Sequence, residues 1–315
     1  MATSTETKTR RKPRRAAGQG GGWALRRAAG VQILEAPAFA KLPWLVHGFS
    51  TRPAGVSILE SLRNGESTSE DVLNLGFTDW DTRAHVMANR GKFITALRAP
   101  RLKLITLRQC HSDIIHVLQE VPKGDLQGDA AITRARGLLL GVQTADCVPI
   151  LLADPKRRAV AAIHSGWRGT LQRIAGKTVG RMQFAFGTHP ADVIAALGPA
   201  IGRCCYEVGP EVAREYSSQF SQAPEWFDGP FDALANGDEP NPLPWLTMAP
   251  PGHAPPPPSV QLDLIAANRA ILIEAGLSPK NIVLSGLCTA CRTDLLFSYR
   301  RESRTGRLMA AIGLR

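Results

Sequence analysis

The stretch TADCVPILLADPKRRAVAAIHSGWRGT, residues 144–170, contains two apolar runs, Val148–Leu152 and Ala159–Ile163, and then Ser165-Gly166 before helix-forming sequence. Each run has strand length and aliphatic composition, and a helix is expected to start near Gly169. Further strands are expected on either side, at Trp44–Phe49, Leu102–Leu107, Ile114–Leu118, Leu138–Gln143, Val193–Leu197, Ile282–Leu284 and Leu308–Ile312. Helical spacing recurs over Thr82–Arg98, with Val86, Met87, Phe93 and Leu97 on one side, and over Asp263–Ala275 with Leu264, Ile265, Ala267, Ile271 and Leu272. Ile58–Asp71 is polar and irregular and reads as a loop insertion. Alternating and continuously apolar strands mixed with helices indicate an α+β (mixed α/β) fold rather than a doubly wound parallel one. Gly18–Gly22 follows no strand, so no dinucleotide or phosphate-loop fingerprint is present.

Of 315 residues, 44% are apolar, enough for a sizeable core. The formal charge of +11 is concentrated early: Lys8, Arg10, Arg11, Lys12, Arg14, Arg15, Arg26 and Arg27 face the single acid Glu6. Residues 1–30 therefore read as a disordered basic tail, a solvated extension for which nucleic-acid contact is the lesser expectation. Residues 31–315 read as a single catalytic domain with a proline-rich insertion near 229–259 that includes Pro255–Pro258. No stretch approaches the roughly 20 apolar residues of a membrane span, and no apolar segment of a secretory signal follows the N-terminus. A cytoplasmic protein without a membrane partner is expected, in which the six cysteines serve as thiols or metal ligands.

Three segments place soft or borderline ligands at strand ends: Gln109-Cys110-His111-Ser112-Asp113, Ala145-Asp146-Cys147-Val148 and Ile163-His164-Ser165-Gly166. Two imidazoles and a thiolate suit a catalytic zinc ion, which keeps its fourth position open. The spacing from 111 to 147 to 164 is not a local metal motif, and two other readings stay open. Cys147 and His164 can be a buried small residue and a satisfied strand-end histidine, or the nucleophile and base of a cysteine hydrolase. Cys288 and Cys291 form a CxxC without a second CxxC; the adjacent Cys204 and Cys205 can in principle join them, although a structural role is the simpler reading. Arg52, Arg168, Arg300 and Arg301 lie in or beside turns, where a guanidinium fork suits phosphate or carboxylate.

Taken together, QCHSD (109–113), GDAAIT (128–133), TADCVPILLAD (144–154), AAIHSGWRGT (161–170), ALGPAIGRCCYEVG (196–209) and CTACRTDLLFSYRRESRTGR (288–307) resemble the laccase-domain family of bacterial and animal proteins. Gly48-Phe49-Ser50-Thr51-Arg52 and Leu73-Asn74-Leu75-Gly76 extend the resemblance back to about residue 44. Family members were first labelled multicopper polyphenol oxidases or peptidoglycan editing factors. They are now regarded as purine nucleoside phosphorylases with adenosine deaminase and methylthioadenosine phosphorylase activity.

The resemblance implies mixed β-sheets sandwiched between helices, and zinc bound at His111, Cys147 and His164. It also implies purine nucleosides as substrates, with inorganic phosphate as co-substrate. On that basis Arg52 and Arg168 are expected to hold phosphate, and Asn74 or Ser112 to position the nucleoside. Asp146 is expected to orient a ligand or relay a proton. The chain departs from the family at Ala54, where a second glycine is usual, in the segment before Asn74 and in the proline-rich stretch. Two rival activities share the same residues: a Cys147/His164 cysteine hydrolase acting in peptidoglycan editing, and a copper polyphenol oxidase. The oxidase needs HxH pairs and on the order of ten histidines, whereas the chain has seven histidines and no HxH. Nucleoside preference and oligomeric state are not legible.

Overall fold

Two six-stranded sheets are built around the apolar runs in the computed structural model, which describes residues 22–63, 66–229, 231, 259–302 and 304–315. The first sheet has the order β1 (Ala24–Ala28), β2 (Val31–Glu35), β3 (Leu45–Ser50), β17 (Leu308–Leu314), β9 (Leu138–Thr144), β6 (Lys103–Thr106). The second has the order β16 (Ile282–Leu284), β12 (Ile194–Leu197), β10 (Val148–Asp154), β11 (Ala159–Ser165), β8 (Ala130–Thr133), β7 (Ile115–Leu118). Both are mixed: the pairs β6–β9, β12–β16 and β7–β8 are parallel and the rest antiparallel. A hairpin of β4 (Pro53–Arg63) and β5 (Glu66–Val72) stands beside them, with a small sheet of β13 (Glu207–Val208), β15 (Val260–Leu262) and β14 (Phe227–Asp228).

The side-chain period of a strand explains the layering. Ile150, Leu152, Ala161 and Ile163 pack outward against helices, where they meet Ile174, Val179 and Met182 of α4 (Ile174–Phe186) and Ala267 and Ile271 of α6 (Leu264–Glu274). Leu151, Ala153, Val160 and Ala162 face the other way, against Phe49, Leu140, Val142, Ala310 and Ile312 of the first sheet. The far side of that sheet, with Val31, Ile33, Val46, Met309 and Ala311, is covered by Phe93, Ala96 and Leu97 at the end of α2 (Arg83–Ala96). The result is the expected α+β architecture, two mixed sheets between helical layers. Each fully buried aliphatic side chain in these layers contributes roughly 1.5–3 kcal/mol. Shorter helices are α1 (Pro37–Ala40), α3 (Trp167–Leu171), α5 (Pro210–Gln219) and α7 (Tyr299–Glu302). No described helix is long and apolar enough to cross a membrane.

Local chemistry sets the helix starts. Thr82 Oγ1 accepts from His85 N at 3.1 Å and Asp263 Oδ1 accepts from Ala266 N at 2.8 Å, as N-caps do. In β3, His47 is buried opposite Ile312, and its Nε2 accepts the Ala36 backbone N–H at 3.0 Å. Burial pushes its pKa down to about 4, so the ring is neutral.

Three expectations are corrected. The first strand, Ala24–Ala28, lies inside the stretch read as tail, because its residues pair with Val31–Glu35 and Arg26 reaches Glu35 at 2.8 Å. Residues 1–21 and most of 229–259 lie outside the described residues. Ile58–Asp71 is not a loop but part of the β4–β5 hairpin, in which Ser57 and Leu59 face inward and Ile58 and Glu60 outward. Met87 is 51% exposed; the buried stripe of α2 runs through Val86, Asn89, Arg90 and Phe93.

Candidate metal centre

Pro149 of β10 pairs with His164 of β11, and Cys147 lies two residues before Pro149, so the thiol and the imidazole emerge together where the strands end. His111 reaches them from the loop between β6 and β7. One ligand atom from each of His111, Cys147 and His164 lies within 4.8 Å of the other two. Cys147 Sγ is 3.8 Å from His111 Nε2, and the two rings are nearly perpendicular with centroids 5.0 Å apart. A tetrahedral zinc ion, bonded to sulfur at about 2.3 Å and nitrogen at about 2.0 Å, needs those atoms roughly 3.5 Å apart. The 3.8 Å between Cys147 Sγ and His111 Nε2 is close to that spacing, and two imidazoles with a thiolate suit zinc in chemistry. His111 is exposed and Cys147 partly so, which leaves the centre open on one side.

Asp129 organises this constellation. It is fully buried, and its Oδ1 accepts from His164 Nδ1 at 2.8 Å, which fixes the tautomer and leaves Nε2 for the centre. The same carboxylate accepts the backbone N–H groups of Cys110 (3.2 Å), His111 (3.1 Å) and Ser112 (2.7 Å), and the Ser112 hydroxyl at 2.7 Å. One side chain thus holds two of the three candidate ligands. Burial alone would push the Cys147 thiol up, yet charge on His164 and hydrogen bonds from both histidines outweigh it and favour the thiolate. Burial pushes His164 down, but the Cys147 thiolate and Asp129 hold it well above the usual range.

Within the centre the backbone takes left-handed values at two residues. His111 has φ 58° and Asp146 φ 96°, left-handed values that cost a non-glycine residue energy and cluster at functional sites. Asp146 is held there by its own carboxylate, which accepts from Thr289 Oγ1 at 2.6 Å and Arg300 N at 2.7 Å. Gly166 answers a steric demand: a Cβ there would sit 3.0 Å from both Cys147 Sγ and His111 Cδ2.

Aromatic and cationic groups border the centre. Half-buried Tyr206 is raised in pKa by burial and by nearby Cys147, while Arg300 and Arg168 are close enough to oppose the shift. The Arg300 guanidinium lies 5.1 Å from the Tyr206 ring centre and that of Arg168 4.4 Å from Trp167.

Of the residues singled out from sequence, His111, Cys147 and His164 come together, with Ser112 bound to the Asp129 carboxylate that holds the two histidines. Arg168 is exposed, just beyond Gly166. Asp146 precedes Cys147 but turns its carboxylate to Thr289 and Arg300; the orienting role expected of it belongs to Asp129. Arg52 is not free for phosphate. It is 2% exposed and paired with Glu302 at 2.5 Å and Glu70 at 2.9 Å, with Phe297 5.3 Å away. Asn74 is fully buried, donates to Asp81 Oδ2 at 2.8 Å and accepts from Gly76 N and Arg307 N, so its amide supports the chain rather than a ligand. Asp129, Gly166 and Tyr206 all lie inside the quoted motifs, but their roles depend on contacts distant in sequence.

The family model described as multi-copper polyphenol oxidoreductase laccase matches residues 46–315. Purine nucleoside phosphorylase YlmD of Geobacillus stearothermophilus is 34% identical over 283 residues, which cover 86% of this chain and 94% of that protein. A purine nucleoside phosphorylase of Deinococcus radiodurans is 34% identical over 288 residues, covering 91% and 94%. The crystal structure of the Geobacillus YlmD superposes with a TM-score of 0.72 at 30% identity, covering 92% of this chain and 98% of that one.

Proposed function

This chain belongs to the multi-copper polyphenol oxidoreductase laccase family, and from that premise we propose that it is a zinc-dependent purine nucleoside phosphorylase. The observation that carries the reading is the open His111/Cys147/His164 centre bordered by Tyr206, Trp167, Arg168 and Arg300. Zinc held there supplies a Lewis acid beside the bound nucleoside. The aromatic faces of Tyr206 and Trp167 suit a purine. Arg168 and Arg300 place guanidinium groups at the mouth, where they bind phosphate and hold it against the ribose C1′. Phosphate oxygen forms a bond to C1′ as the bond from C1′ to the purine nitrogen breaks, and the purine leaves with the electron pair. The Tyr206 hydroxyl, kept protonated by burial, donates a hydrogen bond to the departing base. Phosphate is thus taken up by arginines on the centre's own rim, not by the buried Arg52.

The same pocket is read as accepting adenosine for deamination and methylthioadenosine for phosphorolysis, since both present the same purine. Purified protein incubated with inosine or adenosine, with and without phosphate, tests the reading. Hypoxanthine and ribose 1-phosphate should form from inosine only with phosphate, and inosine should form from adenosine without it. Failure of every purine nucleoside to release base in phosphate would overturn it.

One geometric feature favours a second reading. Asp129, His164 and Cys147 follow one another as orienter, base and nucleophile do in a cysteine hydrolase. It leaves unexplained why His111 Nε2 also faces the thiol. Stoichiometric zinc that protects Cys147 from alkylation would reject it.

A further inference from the structure

The parallel strands β12 and β16 lie side by side, with Ala195 opposite Ile282 and Leu197 opposite Leu284. Their register continues past the strand ends in a bridge between Ala200 and Cys288, so the following loops leave the sheet together. One carries Cys204 and Cys205, the other Cys288 and Cys291.

The four sulfurs converge: all lie within 4.8 Å of one another, with Cys204 Sγ 3.6 Å and Cys205 Sγ 3.4 Å from Cys291 Sγ. Thiolates bonded to one zinc ion at about 2.3 Å in a tetrahedron are roughly 3.8 Å apart. The observed spacing is that of ligands around a shared ion and far longer than a disulfide bond of about 2.05 Å. All four cysteines are unbridged. Gly202 N donates to Cys288 Sγ at 3.2 Å, and a Cβ at Gly202 would meet Cys288 Cβ at 3.3 Å and Cys204 Sγ at 3.4 Å. A bare backbone is therefore pressed against the sulfurs, and its N–H points at one of them. The guanidinium of Arg301 lies 3.8 Å from Cys205 Sγ, where it offsets negative charge on a thiolate.

We propose that Cys204, Cys205, Cys288 and Cys291 bind a second zinc ion in a closed, four-thiolate structural site. Thiolate-only tetrahedral ligation selects zinc among common divalent ions and leaves no position for substrate. The clamp also bears on the first centre. Thr289, between the two cysteines of one loop, donates to Asp146 Oδ1 at 2.6 Å, and Ile201 N of the other loop donates to Asp146 O at 2.8 Å. Asp146 precedes Cys147, so both clamped loops grip the residue that sets the Cys147 backbone.

Metal analysis of the full chain, purified without chelator, tests the proposal. The wild type should hold two zinc ions per chain, Cys147→Ala one, and Cys288→Ser/Cys291→Ser one. Cobalt-loaded Cys147→Ala should show intense thiolate-to-metal charge-transfer absorption, since only the four-thiolate site remains. Should the double variant not fold, alkylation of the native wild type gives the same answer: these four thiols should be protected until a chelator removes metal. A wild type holding one zinc that Cys147→Ala removes entirely, a bound iron centre, or disulfides among these cysteines in metal-free native protein would overturn it.

Discussion

The His111/Cys147/His164 centre and the Arg52/Asn74 network are both polar and both built from sequence motifs, yet they end in opposite states. In the network every named partner is internal: Arg52 spends its guanidinium on Glu70 and Glu302, and Asn74 its amide on Asp81, Gly76 and Arg307. In the centre the internal bonds are made by Asp129, and they orient groups whose remaining atoms face an opening. A polar motif residue whose charge or amide is paired inside supports the fold, whereas one held from behind is presented to a ligand.

Substitutions should separate the two regions. Gly166→Ala is expected to have the largest effect on the centre, because its methyl would fall 3.0 Å from Cys147 Sγ and His111 Cδ2. Zinc at the first centre and phosphorolysis should both be lost while the circular dichroism spectrum is kept. Asp129→Asn should weaken zinc affinity there by about 10- to 100-fold, the usual cost of removing a carboxylate behind a ligating histidine; competition with a chelator measures it. Arg52→Ala should act on stability instead. Removing one partner of a buried pair costs about 3–5 kcal/mol, and partial exposure of Glu70 places the expected loss at the lower end. Denaturant unfolding should show that loss with the KM for phosphate unchanged, and a raised KM would return Arg52 to the site. Arg168→Ala should do the reverse, raising the phosphate KM roughly tenfold or more, as loss of a charged hydrogen bond does, with stability kept.

A further effect concerns pH and lies in β3 of the first sheet. The folded-state pKa of His47, about 4, is below its ordinary value of 6.5, so its contribution to stability is complete above pH 6.5 and falls away from there toward pH 4. The whole contribution is on the order of 3 kcal/mol. His47→Gln should flatten the decline of unfolding free energy across that window, and an unchanged slope would contradict the assignment.

Much of this was legible in the sequence because strand periodicity is local. Val148–Leu152 and Ala159–Ile163 announced a buried pair, and the three candidate ligands could be named from their chemistry and from the resemblance of their motifs. The β4–β5 hairpin also had a local signal in the sequence, Asn64-Gly65, since Asn-Gly favours hairpins. The polar character of the strands hid it, since only one face of this ladder is buried. The orienting role was expected of Asp146, and no role was read for Asp129. Asp146 adjoins Cys147 in sequence, but Asp129 adjoins His111 and His164 in space, through bonds that span 18 and 35 residues. The pairing of Arg52 with Glu302, 250 residues away, was invisible for the same reason.

Anomalous scattering at the zinc edge, measured from crystals of the full chain, addresses the central claim most directly. The account predicts a peak bonded at once to His111 Nε2, Cys147 Sγ and His164 Nε2, with His164 Nδ1 still on Asp129. Zinc-supplemented crystals with no anomalous density among those three atoms would contradict it.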